Sequence, residues 1–146
     1  MKSSISMLAA LGLSLISGGA AHANDKMTIN WTNWKSQTVY LNNWTCSPSG
    51  ACTFPSQINS GQTVAIIVKP SDSNATVRQL AVEYGFFKNF VEHSCQVHVY
   101  VTKNSAGQCQ AGAPYMTKPK GSPYCEVTLT SVNDITCDYT YTARIQ

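Results

Sequence analysis

The sequence predicts an antiparallel two-sheet β-sandwich of about 7–8 strands stapled by three disulfides. Three observations carry that prediction. Apolar residues recur at every second position through most of the chain, the period of a half-buried strand. Clusters of Gly, Pro, Asn and Ser punctuate these stretches, and no long helical period intervenes. Six cysteines stand behind an export-type leader, an even count that reads as a disulfide framework.

The stretch from Met1 to Ala23 is read as an address, not as part of the fold. Lys2 provides a positive start, Ile5 to Ile16 an apolar run, and Ala21-His22-Ala23 a small-x-small cleavage site. That run is too short to span a membrane as a helix, which takes about 20 residues. Cleavage after about Ala23 leaves residues 24–146 as a single domain, secreted to an extracellular or periplasmic location. The short Ala- and Gly-rich leader is bacterial in style. A formal net charge of +3, with Lys118-Pro119-Lys120 as the densest basic cluster, excludes a nucleic-acid footprint.

Among the cysteines, Cys46-Ser-Pro-Ser-Gly-Ala-Cys52 has the Pro and Gly of a small stapled turn. Spacing then favours Cys109–Cys125 across a Gly/Pro-rich loop and Cys95–Cys137 between strands. Loop-closure entropy gives these three bridges about 2.4, 3.1 and 4 kcal/mol, so the Cys95 bridge is expected to matter most. No Cys-x-x-Cys exists, which removes the usual zinc and redox readings.

Taken in order, Met27, Ile29 and Trp31 alternate with Thr28, Asn30 and Thr32 in a first strand. Gln37 to Trp44 alternates again, with Trp34-Lys35-Ser36 as a turn, so residues 27–44 are expected to form a hairpin. Pro55, Ile58 and Gly61 lead into Val64–Val68, apolar on both faces and therefore expected to be a central strand covered on both sides. After a turn at Pro70–Asn74, alternation resumes through Leu80, Val82 and Tyr84. Phe86, Phe87, Phe90 and Val91 have helical spacing, fitting a short helix or an apolar loop. Cys95, Val97, Val99 and Val101 mark the next strand. Lys103–Pro123 is nearly free of aliphatics and reads as one long loop. A closing hairpin pairs Cys125–Leu129 with Ile135–Ile145, whose Cys137, Tyr139, Tyr141, Ala143 and Ile145 face inward.

The strand Ile29-Asn30-Trp31-Thr32-Asn33, the Pro55-Ser-Gln-Ile58-Asn-Ser-Gly61 stretch and the strand ending Val82-Glu83-Tyr84-Gly85 are together similar to the aegerolysin-like β-sandwich. The resemblance covers residues 27–101. It implies a small, secreted, non-enzymatic protein, and several proteins of that kind bind membrane lipids. The six cysteines depart from the family's cysteine-poor form, and no functional residue is carried over.

No catalytic constellation is legible. The chain lacks His-Glu-x-x-His, Gly-x-Ser-x-Gly and a phosphate loop, and no cofactor or metal is implied. One set, Arg78, Glu83 and His98, falls on neighbouring strands and would serve acid–base phosphodiester chemistry if it shared a face. The acidic residues offer no selected pair for glycoside hydrolysis. Asn30, Asn43 and Asn74 head Asn-x-Thr sequons that matter only in a eukaryotic secretory route.

The aromatics are more informative. Trp31, Trp34, Tyr40 and Trp44 crowd one short stretch near the start of the domain, more than one core face absorbs. Flat aromatics on a polar surface stack on sugars or sit at a membrane–water interface. Trp34, Tyr40, Trp44, Phe86, Phe87 and Phe90 are the candidate ligand-binding residues. The expected function is non-enzymatic binding of an extracellular protein or glycan. Lipid binding or membrane damage is the alternative, which requires Trp34, Trp44 or the Phe86–Phe90 segment to reach solvent together. A small hydrolase or nuclease, and an inhibitor presenting the Lys103–Pro123 loop, are lesser readings.

Overall fold

The computed structural model describes residues 26–47, 52–68, 77–88, 93–117 and 124–146. The expected leader, the Pro70–Asn74 turn, Phe90 and the Lys118–Lys120 cluster lie outside them. Among the described residues eleven strands follow in chain order: β1 Met27–Asn33, β2 Val39–Ser47, β3 Cys52–Thr53, β4 Gln57–Ile58, β5 Thr63–Val68, β6 Val77–Gly85, β7 Ser94–Lys103, β8 Cys109–Ala111, β9 Tyr115–Thr117, β10 Cys125–Asn133 and β11 Asp138–Ile145. They make two sheets. Sheet A runs β10-β11-β1-β5-β3; sheet B runs β4-β2-β6-β7-β8, with β9 also paired to β7.

The alternating positions fill the space between the sheets. Met27, Ile29 and Trp31 from β1, Tyr139, Tyr141, Ala143 and Ile145 from β11, Leu80, Val82 and Tyr84 from β6, and the inward row of β7 are all buried together. Trp31 and Tyr84 meet across the gap with ring centroids 5.0 Å apart. The Pro55–Gly61 stretch has a separate job for each of its marked residues. The Pro55 carbonyl accepts the Tyr84 hydroxyl at 2.8 Å, Ile58 enters the core, and Gly61 turns the chain at φ 71°. A positive φ at that turn suits glycine because no Cβ meets the backbone.

Several expectations are corrected. Residues 27–44 are not a hairpin: β1 and β2 lie in different sheets, and the connection arches between them. Both hydrogen-bonding edges of β1 are taken, by β5 and by β11. The β1–β11 pair is parallel, so the sandwich is not purely antiparallel. Val64–Val68 is covered on one face only; Ile66 and Val68 are buried while Ala65 is exposed, and its neighbour β3 is very short. The Lys103–Pro123 segment is not one loop, since β8 and β9 within it extend sheet B along β7. The closing hairpin does form, with a register shift between Leu129 and Ser131.

Cys46–Cys52 pairs as expected, but the other two bridges are Cys95–Cys125 and Cys109–Cys137, not Cys95–Cys137 and Cys109–Cys125. Position along the strands explains the difference. Cys95 lies at the start of β7 and Cys125 begins β10, at one end of the sandwich. Cys109 begins β8 beside Lys103, the last residue of β7, and Cys137 precedes β11 at the opposite end. Cys137 sits at φ 57° after a turn in which Asn133 Oδ1 accepts the Ile135 and Thr136 amides, and its side chain is buried. Cys46–Cys52 and Cys95–Cys125 join strands of sheet B to strands of sheet A, and Cys109–Cys137 joins β8 of sheet B to the turn between β10 and β11 of sheet A.

Candidate functional site

The ends of β1, β11 and β6 and the starts of β2, β7 and β10 converge at one end of the sandwich, and most of the candidate aromatics are there. Trp34 follows directly on β1. Its amide donates to the Ile145 carbonyl at 2.9 Å, which fixes it beside the end of β11. The indole is 57% exposed, and the Arg144 guanidinium lies over it, 4.7 Å from the ring centroid. Arg144 is held from its other side by Glu126 Oε2 at 3.1 Å, a cross-strand pair of partly exposed groups.

Asn33 shapes the bend that carries Trp34 and Lys35. It is fully buried, and its amide donates to the carbonyls of Gln37 (2.8 Å) and Ile58 (2.9 Å) while Oδ1 accepts the Lys35 amide at 3.0 Å. A buried polar side chain is tolerable when its groups are matched in this way. The bend sends Lys35 Nζ over the Phe86 ring, 5.9 Å from its centroid. Phe86 is half-buried and packs on the core; Phe87 is 56% exposed and meets the His93 ring edge-on at 6.3 Å. Phe86 donates its amide to the His93 carbonyl, closing the base of the β6–β7 loop, and His93 adopts φ 60° there.

Tyr124 completes this end. It is exposed, exchanges two backbone hydrogen bonds with Gln146, and stands next to Cys125, whose bridge to Cys95 ties it to the same β6–β7 loop. Tyr40 is half-buried opposite Gly85, one strand away from Phe86. Exposed Trp34 and Phe87, half-buried Phe86 and the cations Lys35 and Arg144 therefore share one apex. Aromatic rings with cations beside them suit a surface where apolar chains meet anionic groups.

Trp44 is not part of that apex. It lies opposite Val82 in mid-strand, half-exposed, and stacks on Phe54 with centroids 4.8 Å apart. Phe54 follows β3, so this stack plugs the side of the sandwich where the chain crosses between the sheets. The acid–base set is dispersed too. Arg78 points into the core, while Glu83 and His98 are on the outer face of sheet B. Glu83 is itself buried and accepts a hydrogen bond from the Ser94 hydroxyl at 2.6 Å. Among the described residues no three His, Cys, Asp or Glu side chains stand where they could hold a metal.

Sequence reading singled out Trp34, Phe86 and Phe87 as candidates but did not place Tyr124, Lys35 and Arg144 beside them. Register with the last strand, at the far end of the chain from Trp34, brings Arg144 and Tyr124 to that apex, and no local pattern encodes it.

Fold and apex together define a class: a two-sheet β-sandwich stapled across its layers, with an aromatic and basic end. No protein-family model matches the chain, and no curated protein matches it by sequence. Among solved structures the fold is similar to that of the lipid binding protein Nakanori, with a TM-score of 0.52 at 11% identity over 82% of this chain and 69% of that one. At that identity the likeness is one of fold.

Proposed function

We propose that this protein binds lipid, engaging a membrane surface through the apex that carries Trp34, Phe86 and Phe87. The observation that carries the reading is the clustering of exposed Trp34 and Phe87 with Lys35 and Arg144 at one end of a stapled sandwich. Likeness of fold to a lipid binding protein adds support. The three cross-sheet disulfides indicate an oxidising environment, where an exported protein meets the outer face of membranes. On this reading the chain reaches that compartment after cleavage near Ala23.

An aromatic side chain buries roughly 150–250 Å², so a half-exposed ring has about 100 Å² left to lose to a bilayer, worth about 2 kcal/mol. Co-sedimentation of the oxidised protein with liposomes of several lipid classes tests the proposal. Binding to at least one class is expected, weakened roughly ten- to thirty-fold by Trp34→Ala or Phe87→Ala and unchanged by Trp44→Ala. Absence of binding across neutral, anionic and sphingolipid vesicles would sink it, as would binding that both apex variants leave intact.

A further inference from the structure

A hollow lies on the outer face of sheet B, away from the apex. Strand register lays out that face as a grid. One row reads Thr45, Ala81, His98 and Tyr115 across β2, β6, β7 and β9; the row beside it reads Ser47, Gln79 and Tyr100; the row on the other side reads Asn43, Glu83, Gln96 and Thr117. The middle of this grid is Ala81, whose methyl group leaves a depression among larger neighbours. Its volume is about 290 Å³. That is at the small end of ligand sites and suits a single ring better than an acyl chain.

The walls are aromatic and the lip is amide and hydroxyl. Tyr115 and His98 stack face to face, centroids 4.4 Å apart and planes within 6°. Tyr115 occupies the β9 side of the imidazole, so the opposite side is left toward Ala81. The imidazole is held at Nε2 by Gln96 Oε1 and Thr117 Oγ1, each at 3.1 Å. Burial lowers the pKa of His98, favouring the neutral ring. Tyr100 forms the next wall, backed by Gly112, whose amide donates to the Tyr100 carbonyl and where any Cβ would collide with the phenol ring. Thr45 closes the far side, and Gln79 is exposed on the lip.

Among the described residues no Lys, Arg, Asp or Glu lines the hollow. Glu83, the charged group in the adjoining row, is buried and engaged by Ser94. The outer face of sheet A offers a contrast, because its β1, β10 and β11 strands present a ladder of Thr28, Thr32, Thr128, Thr140 and Thr142 there. Flat rings flanked by uncharged amides and hydroxyls match the two chemistries of a pyranose, an apolar C–H face and a rim of neutral hydroxyls.

We infer that the Ala81 hollow on the outer face of sheet B binds an uncharged sugar ring at the end of a glycan chain, stacked against the His98–Tyr115 pair and hydrogen-bonded from Gln79 and Gln96. This site is independent of the lipid-binding reading, since it shares no residue with the apex.

Amide NMR of the oxidised protein, titrated with methyl glycosides of neutral hexoses and N-acetylhexosamines, tests it. Saturable shifts in the millimolar range are expected at Ala81, His98 and Tyr115 for at least one sugar. His98→Ala should weaken binding about ten-fold, the size of one lost aromatic contact, and Tyr115→Ala several-fold by releasing the imidazole it stacks on. Gln79→Ala, at an exposed side chain, should weaken it several-fold with the spectrum otherwise unchanged. Trp34→Ala should leave it alone. No shift at these residues with any neutral sugar overturns the inference, and so does sugar binding that survives both His98→Ala and Gln79→Ala. Liposome binding has no bearing on either outcome.

Discussion

Removing the disulfides one pair at a time should give a ranking set by where they sit. Cys95–Cys125 and Cys109–Cys137 close loops with sequence separations of 30 and 28, against 6 for Cys46–Cys52. Loop-closure entropy grows with the logarithm of loop length, so the two long bridges contribute about 3.6 kcal/mol each and the short one about 2.4 kcal/mol. Cys95→Ala/Cys125→Ala and Cys109→Ala/Cys137→Ala should therefore lower the unfolding free energy by equal amounts to within about 0.5 kcal/mol. Cys46→Ala/Cys52→Ala should cost about 1.2 kcal/mol less than either. Urea unfolding under oxidising conditions reads these differences, with peptide mapping to confirm that the remaining pairs persist. Losing both long bridges removes about 7 kcal/mol, comparable to the whole stability of a typical domain, roughly 5–15 kcal/mol, and should leave the chain largely unfolded. A gap above about 1.5 kcal/mol between the two long bridges, or a costliest short bridge, would show that native packing around the sulfurs outweighs the constraint on the unfolded chain.

Other expectations follow from single residues. Asn33→Ala deletes three hydrogen bonds at a buried site and should cost about 2–4 kcal/mol in denaturant unfolding, with loss of the ordered Trp34 environment in fluorescence. Gly61→Ala places a Cβ at φ 71° in open space, so the penalty is conformational alone, about 1 kcal/mol in the same assay. Burial pushes the Tyr141 phenol up to about 12 and raises Tyr84 and Tyr139 beyond the ordinary phenol range, Tyr139 with added help from the Asp134 carboxylate. These phenols are neutral in the fold and ionise near pH 10 when unfolded. Their stabilising effect is thus complete below about pH 10 and is lost as pH rises through the folded values. Thermal unfolding temperature, followed from about pH 9 to 12, should fall steeply above 10, and Tyr141→Phe should make the fall shallower.

How far the sequence spoke is clearest at β1 and β11. Alternation identified Met27, Ile29 and Trp31, and Tyr139, Tyr141, Ala143 and Ile145, as inward, and every one of them is buried. Period 2 reports which face is covered; it carries nothing about which strand lies alongside, and so residues 27–44 read as a hairpin when they bridge two sheets. The same limit mispaired four cysteines, because loop composition between Cys109 and Cys125 says less than the ends of the sandwich at which they emerge. Short β8 and β9 escaped notice because main-chain pairing to β7, not an aliphatic pattern, defines them. At the apex, Trp34 and Phe87 stood out as surplus aromatics, whereas the hollow over Ala81 depends on a small residue being surrounded, a property of the grid and not of the chain.

The parallel pairing of β1 with β11 bears on how the molecule is made. Met27 lies beside Tyr139, nearly the whole described chain away in sequence, and β1 is the middle strand of its sheet. Made before β11, β1 can join β5 early, but its other edge stays open until β11 arrives. Contacts so distant along the chain slow folding to the millisecond-to-second range. Through that interval a half-built sheet with an edge of unpaired N–H and C=O groups is available to other chains. Shielding that edge until β11 docks should therefore raise the yield of folded protein.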